Sequence, residues 1–240
     1  MVGVQPFGGE GLSGTGPKAG GPLYLYRLLS TRPVDAIARG FQQVDALAAP
    51  DIQHHEALLR SLKVFKTWVG EKDSDLVYLC ELFAQQSQSG VTRLLPGPTG
   101  ESNRYVILPR EHILCLVDVE GDLLIQLAAV LAVGGSAVWP EAELTKAVFA
   151  RLPKDIQAKI KLVADWSKDE VVFDAVLHHG HSDQLRTVCQ QVAKRAGAII
   201  GVQGLSPGET EIALERLVIE RAVSINTAAA GGNASLMTIS

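Results

Sequence analysis

Two strings in the chain have residue types and spacing suited to chemistry. Gly9-Glu10-Gly11-Leu12-Ser13-Gly14 fits G-x-G-x-x-G, and Gly11–Lys18 is one inserted Pro17 away from a phosphate loop. A dinucleotide turn must run straight into a helix whose first amides face the pyrophosphate. Pro17, Gly20, Gly21 and Pro22 prevent such a helix, so the string is expected to be irregular loop. His178-His179-Gly180-His181 is the one dense cluster of imidazoles, which could bind zinc or nickel. Adjacent side chains on an extended segment point to opposite faces, and only Asp183 stands near as a further ligand. The run therefore predicts solvated histidines at a strand end, and His54-His55 a helix surface.

The elements that would position these groups follow from periodicity. Eight of the 23 glycines fall in the first 21 residues, so the head is loop, with a short strand or helix at 23–29. Apolar residues then recur at spacings of three and four, predicting helices near 34–48, 51–70 and 73–89, with Pro50-Asp51 and Asp73-Ser74 between them. Arg93–Asn103 is a Pro/Gly loop and a candidate subdomain boundary. Beyond it short apolar runs alternate with helical ones: 105–108, 113–117, helix 120–133, 137–139, helix 141–151, 160–164, 175–177, helix 182–195 and 199–202. That alternation predicts an α/β, Rossmann-like layer with a mostly parallel sheet. The tail, with Leu217, Ile219, Val223 and Ile225 ahead of the small-residue turn Ala228–Asn233, predicts a hairpin or a pair of strands that add to a sheet. Its turn builds no core of its own, so these strands are expected to need a sheet edge outside the chain.

Composition narrows the function classes. With 22 basic against 26 acidic side chains in 240 residues, a net charge of −4 and no run of five like charges, the chain offers no broad phosphate-neutralising face for nucleic acid. No apolar stretch reaches the roughly 18 residues that span a hydrocarbon core. Cys80, Cys115 and Cys189 are odd in number and far apart, and each lies in an apolar or amphipathic run, which suits buried, reduced thiols in a cytoplasm.

The head and tail carry a more specific signal. Val4-Gln5-Pro6-Phe7-Gly8-Gly9-Glu10-Gly11-Leu12-Ser13-Gly14-Thr15-Gly16-Pro17-Lys18 resembles the closing stretch of the glutamate-semialdehyde (pyrroline-5-carboxylate) dehydrogenase module of bacterial proline utilization A (PutA) proteins. The tail Glu220–Met237 looks like the C-terminal motif of their long forms, and the middle is similar to their aldehyde-dehydrogenase-like C-terminal domain. On this resemblance the chain divides into 1–33 (end of the dehydrogenase module), 34–90 (helical), 91–222 (Rossmann-like pseudo-dehydrogenase) and 223–240 (strand or flap). Met1 then falls inside a far longer polypeptide. The parent would oxidise proline to glutamate with FAD and NAD, in the cytoplasm or peripheral at the inner membrane.

The resemblance also implies roles. In the family the Gly-rich loop anchors the aldehyde substrate, and Phe7, Ser13 and Gly14 are the matching positions; glycine lets backbone amides approach an anion closely. A loop that merely closes a domain is the alternative. Leu124–Pro140 is similar to the family's helix and strand ending in Lys-Pro, with Trp139 in place of the lysine that contacts the NAD ribose. Gly180–Leu185 looks like its G-S-T-x-x-G turn with Leu185 for the last glycine, and Gln203 stands in the general-base glutamate's slot. A carboxamide cannot take the proton a carboxylate takes, a role usually worth about 10²–10⁴-fold. No cysteine follows Ser206. These losses imply a non-catalytic fragment with no cofactor or metal of its own. It would pack on the dehydrogenase module, or a second subunit, over the substrate channel. Two other expectations stand beside it: a contribution to the working dehydrogenase through the anchoring loop, and a stand-alone module binding a metal or ligand through the histidines.

Overall fold

The computed structural model describes residues 5–9, 11–14, 16–29 and 52–226. The expected helix at 34–48 and the turn Ala228–Asn233 lie outside them. The helical segment comprises α1 (Ile52–Leu58), α2 (Arg60–Val69) and α3 (Ser74–Gln86). Asp73 caps α3 by accepting the Leu76 amide at 2.9 Å, which supplies one of the partners a helix start lacks. The apolar stripes Leu62, Phe65, Val69 and Leu76, Leu79, Phe83 face a common core, as their spacing requires.

That core is built around α4 (Glu120–Val133), in which every residue from Gln126 to Val133 is buried. A helix apolar all round must be covered on all sides. Here α2 and α3 share a buried cluster with one side of it, and the sheet residues Cys115, Trp139 and Leu177 share it from the other. Gly134 ends α4 in the left-handed region at φ 82°, and a Cβ there would stand 2.7 Å from Leu58 Cδ2, so both backbone and space demand glycine.

Five parallel strands form the main sheet: β3 (His112–Leu116), β4 (Ser136–Pro140), β5 (Ile160–Val163), β6 (Ala175–His179) and β7 (Gly201–Leu205). Their spatial order is β5-β4-β3-β6-β7. Taken in chain order this is 3-2-1-4-5, the arrangement of a doubly wound sheet whose strand order reverses between β3 and β6. Helices α5 (Glu143–Arg151) and α6 (Lys154–Gln157) connect β4 to β5, and α7 (Ser182–Val192) connects β6 to β7. Strand alternation separates two cores: Ile113, Cys115, Ala137, Trp139 and Leu177 join α4, whereas Leu114, Val138 and Val176 join Val188 and Val192 of α7. The α/β, Rossmann-like expectation holds.

Two expectations about smaller pieces are corrected. The run at 105–108 does not belong to the parallel series. It lies in β2 (Glu101–Pro109), which pairs antiparallel with β1 (Thr92–Leu95) and with β8 (Val218–Asn226) in a separate three-stranded sheet. The Pro/Gly stretch at 93–103 is thus a hairpin, with residues 96–100 joining two strands. The tail strand also needs no outside edge over its described length, because Val218–Asn226 pairs with Pro109–Glu101 of the same chain.

The loop between β5 and β6 is held by one side chain. The Arg195 guanidinium donates to the carbonyls of Lys168 at 3.0 Å and Val171 at 2.6 Å while lying 4.5 Å from the Phe173 ring centroid.

Candidate functional site

In a doubly wound sheet, ligands bind outside the carboxyl ends of the strands where the order reverses. Between β3 and β6 that crevice would be formed by residues 117–120 and 180–182, which lead into α4 and α7. The chain's own groups meet there instead. Asp122, buried in the first turn of α4, accepts the Gly208 amide at 2.9 Å and draws the loop after β7 across the helix start. Gln126 Nε2 donates to Leu116 O at 3.2 Å and to His179 Nδ1 at 2.9 Å, and His179 Nε2–H donates to Glu209 O at 2.8 Å. With these partners Nδ1 of His179 accepts and Nε2 donates. At the start of α7, Gln184 accepts the His181 amide at 3.0 Å and donates to Asp118 at 3.2 Å.

The packing leaves little room for a cofactor. A Cβ at Gly180 would lie 2.6 Å from His178 Cε1, and one at Gly204 would lie 2.2 Å from Leu185 Cδ2. Leu185 therefore fills the space beside β7. Glu120, Asp122 and Asp183 place carboxylates in the first turns of both helices, which suits the helix dipole but opposes a pyrophosphate. Trp139 is fully buried against α4, with its indole inside the core.

The histidine expectation is corrected in part. His178 and His179 are buried as the last residues of β6, and only His181 is exposed. Burial lowers the His178 pKa, with the Asp118 charge opposing. Among the described residues no group of three metal-ligating side chains is brought together. Cys80 and Cys115 are buried, and burial pushes both thiols up to about 12. Cys189 is exposed, contrary to expectation, because it falls on the outward side of α7.

The head is tied to the three-stranded sheet. Phe7 and Ala19 exchange backbone hydrogen bonds of 2.9 and 2.7 Å, closing a loop that holds a 3-10 turn at Gly11–Ser13. No α-helix follows the G-x-G-x-x-G string among the described residues of the head, in accord with the proline and glycine argument, and the expected short element at 23–29 is a 3-10 turn at Leu25–Leu28. Lys18 N donates to Glu220 Oε2 at 2.8 Å, and Tyr105 OH donates to Glu220 Oε1 at 2.5 Å. Glu220 is buried. Desolvation raises its carboxyl pKa, while the Tyr105 and Lys18 donors pull it back. A Cβ at Gly21 would come within 2.7 Å of Glu220 Oε1, so glycine is needed for the head to lie this close. Of the expected anchoring residues, Phe7 and Ser13 are exposed and Gly14 is half-buried on this same loop. Sequence reasoning missed Glu220, although a carboxylate two positions from buried Val218 marks an inward-facing polar group on β8.

The class defined by this geometry is a doubly wound α/β unit with an added antiparallel sheet and a closed carboxyl edge. No family model matches the chain. Over its whole length it is 54% identical to the bifunctional protein PutA of Salmonella typhimurium, 53% to that of Escherichia coli K12 and 39% to that of Rhizobium meliloti. The chain belongs to the PutA family. It spans 18% of the Salmonella and Escherichia proteins and 19% of the Rhizobium one. Among solved structures, a proline utilization A with proline bound in remote sites is 17% identical over 74% of this chain and 22% of its own, with a TM-score of 0.46. An Escherichia coli NADP-dependent enzyme is 15% identical over 71% of this chain and 42% of its own, also at 0.46.

Proposed function

We propose that the chain is the aldehyde-dehydrogenase-like C-terminal region of a PutA enzyme and that it performs no chemistry itself. It packs on the dehydrogenase module, or on a second subunit, and covers the channel carrying the intermediate of proline oxidation to glutamate. FAD and NAD are held elsewhere in the parent, and the fragment holds neither cofactor nor metal. The observation that carries the reading is the crevice at the β3–β6 reversal, where Gln126 bonds His179, Asp122 bonds the Gly208 amide and Gln184 bonds Asp118. Trp139 inside the core and Leu185 against Gly204 support it, since the residues in the family's lysine and glycine slots are spent on packing. A surface for packing is present in the head, where Phe7, Leu12, Tyr24, Leu25 and Leu29 are all exposed.

Two measurements test this reading. Calorimetric titration of the chain with NAD is expected to give a dissociation constant weaker than about 100 μM, less than roughly 5.5 kcal/mol of binding. A tighter constant contradicts the non-catalytic assignment. In the full-length parent, Leu25→Asp should lengthen the lag in coupled proline-to-NADH turnover, because a charge in a packed apolar contact is desolvated without a partner. Each half-reaction, given its own substrate, should stay within about twofold of normal on the same argument. An unchanged lag removes the covering role.

A second reading is favoured by the exposure of Phe7 and Ser13 on a loop whose base is fastened at Lys18. In the parent this loop would anchor glutamate semialdehyde, with Ser13 and Gly14 meeting the carboxylate and Phe7 covering the aliphatic part. Ser13→Ala in the parent should raise the Michaelis constant for that aldehyde by the equivalent of about 1–3 kcal/mol. An unchanged constant in a folded variant returns the loop to domain closure alone.

A further inference from the structure

A cavity of about 400 Å³ lies at the opposite end of the sheet from the closed crevice. It is bounded by the Gly-rich head, by the amino-terminal ends of β6 and β7, and by residues 215–221. That volume is in the range of small-molecule sites. Leu23, Leu217 and Val218 supply apolar wall, and Gln203 also lines it. Along β7, Gln203 shares a face with the buried Leu205 and points away from α7, against which Gly204 packs. Gln203 is 9% exposed, and its Oε1 is buried with no hydrogen-bond partner.

A carboxamide at an inward position, with its oxygen unanswered, departs from the rule that buried polar groups are paired. Three of the charged groups around the cavity are by contrast engaged. Glu220 accepts from Tyr105 and Lys18, Lys18 Nζ donates to Gly8 O at 3.0 Å, and Arg110 donates to Arg216 O at 3.1 Å and Asp174 O at 3.0 Å. Among the lining residues the buried polar atom left without a partner belongs to the neutral Gln203 carboxamide, whose complement is a neutral amide edge. We propose that this cavity binds a small uncharged molecule whose amide edge, an N–H beside a C=O, pairs with the Gln203 carboxamide while its apolar body lies against Leu217 and Val218. The terminal torsion of glutamine is soft, so the carboxamide turns to present both its oxygen and its nitrogen to such an edge. The site does not use the carboxyl edge; the head contributes Gly11, Gly14 and Gly16 to its wall.

The probe is 2-quinolone, a flat apolar lactam, compared with N-methyl-2-quinolone, which keeps the body and loses the donor. Titrated into the whole chain, 2-quinolone should bind saturably and at least about tenfold more tightly, the size of effect expected when a buried polar group is left unpaired. Gln203→Met, similar in length and apolar, should retain the melting temperature and abolish that preference. The wild-type protein gives a second readout that needs no variant, since the Gln203 side-chain NH₂ resonances should shift with 2-quinolone and stay put with the N-methyl compound. Equal binding of the two probes, a preference surviving in Gln203→Met, silent Gln203 resonances, or no saturable binding of either probe would each overturn the proposal.

Discussion

Glu220 is a carboxylate taken out of water, and the described structure is arranged to answer it. Burying such a group without partners costs several kcal/mol, whereas donors aimed at its oxygens recover most of that. The two oxygens take their donors from different parts of the chain: Tyr105 on β2 and the Lys18 amide in the head. The glutamate thus joins the β2–β8 pairing to a segment some 200 residues earlier in sequence. Glycine at 21 lets the head approach, and the head in turn roofs the cavity over Gln203. Remove the carboxylate and nothing else on this list has the same reason to be where it is.

The same rule, that buried polar groups must be answered, closes the other end of the sheet. A doubly wound fold presents helix starts at its order reversal, and their unpaired amides form an anion site if left open. Here the loop after β7 crosses the start of α4 through Gly208 and Asp122, and Gln184 caps α7. Gln126 Nε2 donates to His179 Nδ1 beneath them. A dinucleotide would have to displace internal hydrogen bonds and then face three first-turn carboxylates. The topology of a cofactor-binding sheet is therefore kept while the chain's own groups hydrogen-bond across its carboxyl edge.

The parts governed by local periodicity were legible in the sequence. The apolar α4 and the alternation of β3 to β7 with helices follow from spacing alone, and the parallel sheet follows from them. What spacing does not carry is pairing. The run at 105–108 is as apolar as the parallel strands, so its place beside β8 depended on contacts more than 100 residues away. The run His178–His181 predicts solvated histidines at a strand end, whereas His179 is buried between Gln126 and the Glu209 carbonyl, partners that spacing does not show. Leu185 and Trp139 were legible as departures from a motif. That they fill space at Gly204 and beside α4 was visible only in three dimensions. Glu220 and Gln203, the polar groups on inward faces of β8 and β7, are each readable as anomalies once the strands are assigned, but the donors that Glu220 finds are not.

Amide hydrogen exchange at Lys18 bears most directly on this account. Its N–H is bonded to Glu220 in the interior, so it should exchange as slowly as the β8 amides paired with β2, by the same cooperative opening. In Glu220→Leu, which removes both acceptor oxygens, the Lys18 amide should lose that protection while β3 and α4 keep theirs. A Lys18 amide that exchanges freely in the unaltered chain, beside protected β2 and β8, would contradict the claim that the buried glutamate binds head and sheets into one unit.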